Sequence, residues 1–344
     1  PPEYNKSVRD FDIVTLDRLK RIEIEPDYET WKEYAYKKGV HASVMTYLAA
    51  RKKDFYKIEN AADGKHFVTA RGWDDLSEMI KLYEENGLAV DEQLICQYLQ
   101  DARISKDFAI YYDLFNKYRS DYQVEKILDG TVSESIVLRA ERASMDERLS
   151  LLGLIFDSVT AQLRMVCERE NILDLVTGQL KTLKEKLKDV SGAAALLSEM
   201  IEAEREKLER GKQSSSISPQ TQRETRFMLE YLEEFRAAVM QSGTAQKDEF
   251  SIVRESFAQK VAELKGLAAD GGRALENVFS FCEKAFADGD EILIFVTELT
   301  ANYYSARFIG RYGCDRYYMH NKQLQFDQRQ QEIIKRMDEI QWTV

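Results

Sequence analysis

Residues 172–187, ILDLVTGQLKTLKEKL, carry Ile172, Val176, Leu180, Leu183 and Leu187 at steps of four, four, three and four. Helical geometry puts residues spaced in this way on one face, so the stretch presents an apolar stripe among polar and charged positions. The same stepping returns in Phe250, Val253, Phe257, Val261 and Leu264. Two such stripes bury one another, and the helices near Leu180 and Val261 are expected to pack together. Between them, GKQSSSISP (211–219) is polar and punctuated by Gly and Pro, which marks a loop and predicts an antiparallel helical hairpin. Further helices are expected through Met228, Leu232, Phe235 and Val239, and through Leu275, Val278, Cys282 and Phe286, with breaks at Gly289, Gly310 and Gly313. Over 125–344 the expected fold is an all-α bundle with coiled-coil-like long helices.

Upstream the elements are shorter. Residues 13–25 (IVTLDRLKRIEIE) set Leu16, Ile22 and Ile24 among charges, a pattern that predicts a short strand ended by Pro26. Asp27 is placed to cap a helix through Trp31 and Tyr34, with Gly39 as its stop, and a second helix follows through Val44, Tyr47 and Leu48. After a loop at Asp63-Gly64, Phe67-Val68 lead into Arg71-Gly72-Trp73-Asp74-Asp75. Leu76, Met79, Ile80 and Tyr83 then recur at helical spacing as far as Gly87. Asp74 and Asp75 are expected in the first turn of that helix, where its dipole favours anions. Two more helices, through Val90 to Leu99 and Phe108 to Tyr118, complete a compact helical subdomain over 27–124.

The chain has 344 residues, 44% of them hydrophobic, which is ample for buried cores. Its net charge is −11, with 19 basic and 23 acidic side chains in residues 1–124 and 30 and 37 in the remainder. Neither part holds the concentrated Lys/Arg footprint that displaces counterions from phosphates, so no nucleic acid is expected as a partner and proteins are. Tyr98, Tyr111, Tyr112, Tyr303, Tyr304, Tyr317 and Tyr318 are accordingly read as core residues rather than base-stacking platforms. The four cysteines are far apart and form no CxxC pair, which suits a reducing, cytoplasmic setting. No apolar run reaches the roughly 20 residues of a membrane span. The opening Pro1-Pro2, without an initiator methionine, leads us to expect further chain upstream.

Catalytic signatures are conspicuous by absence: GxxxxGK[ST], GxGxxG, GxSxG and HExxH do not occur. His41, His66 and His320 stand far apart without a metal-ligand partner at helical spacing, so no metal site is expected. The opening PPEYNKSVRDFDIVTLDRLKRIEIEPDYETWKEYA and the later FVTARGWDDLS resemble, in order and spacing, successive pieces of a MoxR-like AAA+ ATPase. The resemblance covers roughly residues 1–124 and implies a division into 1–26, the C-terminal edge of an AAA+ α/β core; 27–124, its helical lid; and 125–344, a helical extension. In that family the Walker A loop, the Walker B carboxylates and the sensor-1 residue come earlier, outside this chain, so this chain is not expected to hydrolyse ATP alone.

Carried over by motif, Arg18 in Leu16-Asp17-Arg18 is the implied arginine finger, and Arg71 in Thr69-Ala70-Arg71-Gly72 the implied sensor-2 arginine that meets bound nucleotide. Ala70 stands where relatives often have proline. A permanently charged, planar guanidinium is suited to the charge spread over a γ-phosphoryl group in transfer. Spacing by itself reads Arg18 as a surface partner of Asp17 or Asp12, and Arg71 as decoration of a helix start. The resemblance further implies ATP and Mg2+ as cofactors, a homo-oligomeric ring, a hexamer as in the family, and a chaperone-like action on protein clients, among them proteins with a von Willebrand factor A domain. The alternative is a non-enzymatic helical scaffold whose working part is the 125–344 bundle.

Overall fold

Asp27 opens the first helix: its carboxylate accepts the Thr30 backbone N–H at 2.7 Å, and Gly39, at φ 75°, closes the helix in the left-handed conformation. The computed structural model describes residues 17–18, 25–61, 64–187, 192–214, 216–242, 249–287 and 289–322. It is mainly helical. Helices α1 (Tyr28–Lys38) and α2 (Ala42–Ala50) lead through a 3-10 turn at Lys52–Asp54 into an antiparallel hairpin. Its strands β1 (Lys57–Ala61) and β2 (Gly64–Val68) set Ile58 opposite Phe67. Then come α3 (Ala70–Glu85), α4 (Glu92–Tyr98) and α5 (Ala102–Asp121). Tyr47, Trp73 and Phe108 meet at ring-centroid distances of 5.2–5.6 Å in the centre of this group, surrounded by Leu48, Leu76, Ile80 and Ile95.

Short helices α6 (Val124–Leu128) and α7 (Glu134–Arg142) turn the chain into α8 (Met145–Lys186). After α9 (Ala193–Gln213), α10 (Pro219–Ser242) and α11 (Glu249–Ala285) come α12 (Glu291–Ala301) and α13 (Tyr303–Tyr312), and residues 315–322 are again helical. Helices α8 and α11 run antiparallel: Leu151–Val159 share a core with Ala274–Ala285, while Ile172–Leu183 share another with Val253. That second core is completed by α9 and α10, an antiparallel pair tied by Arg205 to Glu233 and by Arg236 to Ser198. Leu180 and Val261, expected to pack together, both lie half-buried against this cluster. The middle core also takes in Ala42, Phe115 and Tyr122, so apolar packing continues from the 27–124 helices into the bundle.

Several expectations need correction. Of the strand predicted over 13–25, only Asp17, Arg18 and Glu25 are described; Asp17 and Arg18 are helical, as the three-residue spacing of Leu16 and Leu19 permits, and the rest lies outside the described residues. Asp74 and Asp75 fall in the second turn of α3, because Thr69 is the cap: its Oγ1 accepts the Gly72 N–H at 3.2 Å. The two helices expected across 250–286 are one, α11, running unbroken through Gly266, Gly271 and Gly272. At Gly271 the reason is packing, since a Cβ would stand 3.2 Å from Leu163 Cδ2 and the missing side chain admits close contact. Gly310 likewise lies inside α13, whereas Gly313, at φ 80°, does end it. Met145–Lys186 is long and apolar enough to cross a membrane by length and composition; 56% of its apolar window is buried within the fold, where it serves as core.

Candidate functional site

The Arg71-Gly72-Trp73 run divides its labour by position on α3. Trp73 is fully buried, and its indole N–H donates to the Asp54 carbonyl at 3.2 Å. Gly72 faces the Tyr98 carbonyl so closely that a Cβ would come to 2.8 Å from the oxygen, which makes glycine a requirement for seating α3 against α4. Arg71 points the other way: its side chain is 89% exposed in the first turn, and its charged neighbour is Asp75 at 3.5 Å, one turn on. First-turn N–H groups and the helix dipole favour an anion at such an end. Asp74, by contrast, is engaged, accepting from Lys38 Nζ at 2.6 Å and Tyr34 at 3.4 Å.

Arg18 is helical and exposed, and among the described residues it makes no hydrogen bond or ion pair. The pairing with Asp17 that spacing suggests is not formed, and Asp12 lies outside the described residues. Arg18 and Arg71 are not brought together within this chain. His41 and His320 take polar packing roles: His41 Nε2 lies 3.2 Å from Glu84 Oε2, and His320 Nε2 lies 2.9 Å from Glu283 Oε1. Of the tyrosines read as core, Tyr112, Tyr304 and Tyr317 are buried, while Tyr303 and Tyr318 are exposed. Among the described residues no group of His, Cys, Asp or Glu is arranged to hold a metal ion.

A cavity of about 690 Å³ opens where the 27–124 helices meet α8, α12 and α13. Its walls include Tyr36, Phe156, Phe295 and Tyr304, and α8 sends Asp157 and Arg164 into its lining. Glu298 at the wall is already neutralised, receiving Lys32 Nζ at 2.5 Å and the Tyr36 hydroxyl. Burial and that carboxylate push the Tyr36 phenol far up, so it stays protonated and donates. Arg164 is engaged too: its Nε meets Glu168 Oε1 at 2.8 Å, and the guanidinium lies 5.3 Å above the Tyr304 ring.

Asp157 differs from all of these. Its side chain is open to the cavity, yet its carboxylate accepts no hydrogen bond and pairs with no cation among the described residues. The side chain keeps solvent-exposed surface, yet loss of solvation against the surrounding protein pushes its carboxyl up from the ordinary value, with His41, Arg119 and Lys81 pulling in the opposite direction. Sequence reasoning passed over this residue, although a signal existed: Asp157 is the single charged side chain between Arg148 and Arg164.

Comparison of the chain with family models, with curated proteins and with solved structures gives no match.

Proposed function

We propose that this chain is the C-terminal part of a MoxR-like AAA+ ATPase, with 1–26 as the edge of the nucleotide-binding core, 27–124 as its lid and 125–344 as a helical extension with coiled-coil-like character. The observation that carries this reading is Arg71, held by a glycine and a buried tryptophan in the first turn of α3, with its guanidinium in solvent and only a side-on aspartate near it. In the proposed assembly Arg71 contacts the phosphates of ATP·Mg2+ as sensor 2, and Arg18 reaches the nucleotide of the neighbouring subunit in a homo-oligomeric, hexameric ring. The lid cannot move alone, because Phe115 and Tyr122 are buried in the same cluster as α8 and α11. Lid rotation would therefore swing the bundle and act on a protein client, in keeping with the family's von Willebrand factor A partners.

ATP hydrolysis by the intact polypeptide that carries this chain and its P-loop tests the assignment. Arg18→Ala is expected to lower kcat by about 10³-fold with nucleotide binding retained, and Arg71→Ala to weaken the response of the lid to nucleotide. A full rate with Arg18→Ala removes the mechanism. The shared core between 27–124 and the bundle also favours a second reading, a rigid non-enzymatic scaffold. Assembly that is identical with and without ATP, measured by sedimentation, selects it.

A further inference from the structure

We propose that the cavity between α1, α8, α12 and α13 binds a small organic cation, an amine carried on an apolar body, with Asp157 as its counter-ion. The volume of about 690 Å³ lies in the range of small-molecule sites. Tyr36, Phe156, Phe295 and Tyr304 supply apolar and aromatic wall, the surface that suits both a hydrocarbon body and a cation above a ring.

Charge decides the sign of the ligand. Glu298 is spent on Lys32 and Tyr36, and Arg164 is spent on Glu168 and the Tyr304 face. What remains unmet in the lining among the described residues is carboxylate, that of Asp157 and, further along α8, that of Asp146, while Arg51 is held by Asp107 at 3.8 Å and by the Tyr47 ring at 5.2 Å. An anionic ligand would be repelled by these carboxylates, and a neutral one would draw no charge pairing from them. Among the described residues no group of His, Cys, Asp or Glu here is arranged to hold a metal ion. An ammonium group completes the pair and leaves the aromatic walls to the rest of the molecule. This inference is independent of whether the chain belongs to an ATPase.

Titration calorimetry on the whole chain with three matched probes, tryptamine, tryptophol and indolepropionate, tests it. These share an indole body and differ in carrying an ammonium, a hydroxyl or a carboxylate. Tryptamine is expected to bind at least about tenfold more tightly than tryptophol, as a paired charge in a partly desolvated site provides, and indolepropionate most weakly. Asp157→Asn is expected to erase the difference between tryptamine and tryptophol. Ala161→Trp, which fills space in the same lining, is expected to abolish binding of both while the helical circular dichroism is unchanged. Equal affinity for tryptamine and tryptophol, undiminished tryptamine preference in Asp157→Asn, or no binding of any probe overturns the proposal.

Discussion

Asp157 and Glu170 stand on one helix, α8, about three and a half turns apart, and the protein treats them in opposite ways. Glu170 is 2% exposed and saturated: Arg307 approaches it at 3.2 Å, Arg311 at 2.9 Å, and the Tyr312 hydroxyl donates to it at 2.5 Å. Burial and this carboxylate push the Tyr312 phenol up to about 12, so it remains a donor. Asp157 faces a cavity and has no partner. The contrast separates two uses of a charge on one helix, one closed inside the protein and one exposed at a cavity wall. A carboxylate closed by arginines fixes one helix on another, here α13 on α8, whereas one left open toward a cavity leaves an interaction to be completed from outside.

The largest effect is expected where the charge is closed. Glu170→Ala leaves Arg307, Arg311 and the Tyr312 hydroxyl around an empty position, and breaking such a buried pair costs about 3 kcal/mol. Urea unfolding followed by circular dichroism measures it. A loss below about 1 kcal/mol would place Glu170 among screened surface pairs and dissolve the contrast with Asp157.

A second test asks whether the cavity half of α8 is loose or tightly seated. One turn before Asp157, Gly153 lies against Thr46 of α2 so closely that a Cβ at 153 would overlap the threonine methyl. Thr46 is not free to swing away, because its hydroxyl donates to the Ala42 carbonyl at 2.8 Å and receives Tyr111 at 2.7 Å. Gly153→Ala is therefore expected to destabilise by about 1–2 kcal/mol, even though alanine is the better helix former by about 1 kcal/mol. Adding Thr46→Ser, which removes the methyl and keeps the hydroxyl, should recover most of that loss in a double-mutant cycle. Absence of recovery would mean that α2 and α8 are not in contact at this point.

Much of this architecture was legible from side-chain spacing. The stripes at Ile172–Leu187 and Phe250–Leu264 and the caps Asp27 and Gly39 state their roles locally, through periodicity and turn chemistry, and the polar stretch 211–219 marks the turn between α9 and α10, although 211–213 and Pro219 are themselves helical. Gly310 was misread as a break and lies inside α13, and the roles of two other glycines are tertiary and left no local sign: Gly271 packs beside Leu163 and Phe308, and Gly72 against the Tyr98 carbonyl. Motif order supplied Arg18 and Arg71, and the exposure of Arg71 follows from Trp73 turning inward on the same helix. The cavity was not legible at all. Its lining comes from α1, α2, α5, α8, α12 and α13, and no local pattern announces where six helices fail to fill the space between them.

The smallest effect, and the one of opposite sign, belongs to Asp157. Loss of solvation pushes its carboxyl up from the ordinary aspartate value, against the pull of His41, Arg119 and Lys81, and the exposed surface that the side chain keeps holds the effect small. An acid with a higher pKa folded than unfolded binds more protons in the folded state between the two values. Stability therefore falls as the pH rises through that window and stays reduced at neutral pH. Asp157→Asn cannot ionise and escapes this loss, so its Tm should exceed that of the parent at about pH 7 and converge with it as the pH approaches about 4. Differential scanning calorimetry at several pH values measures the gap, and tryptamine should close it from the other side by stabilising the parent alone. An Asp157→Asn protein less stable than its parent at neutral pH would mean that the carboxylate already has a partner, and Asp157 would then join Glu170 as a fastening rather than a vacancy for a ligand's charge.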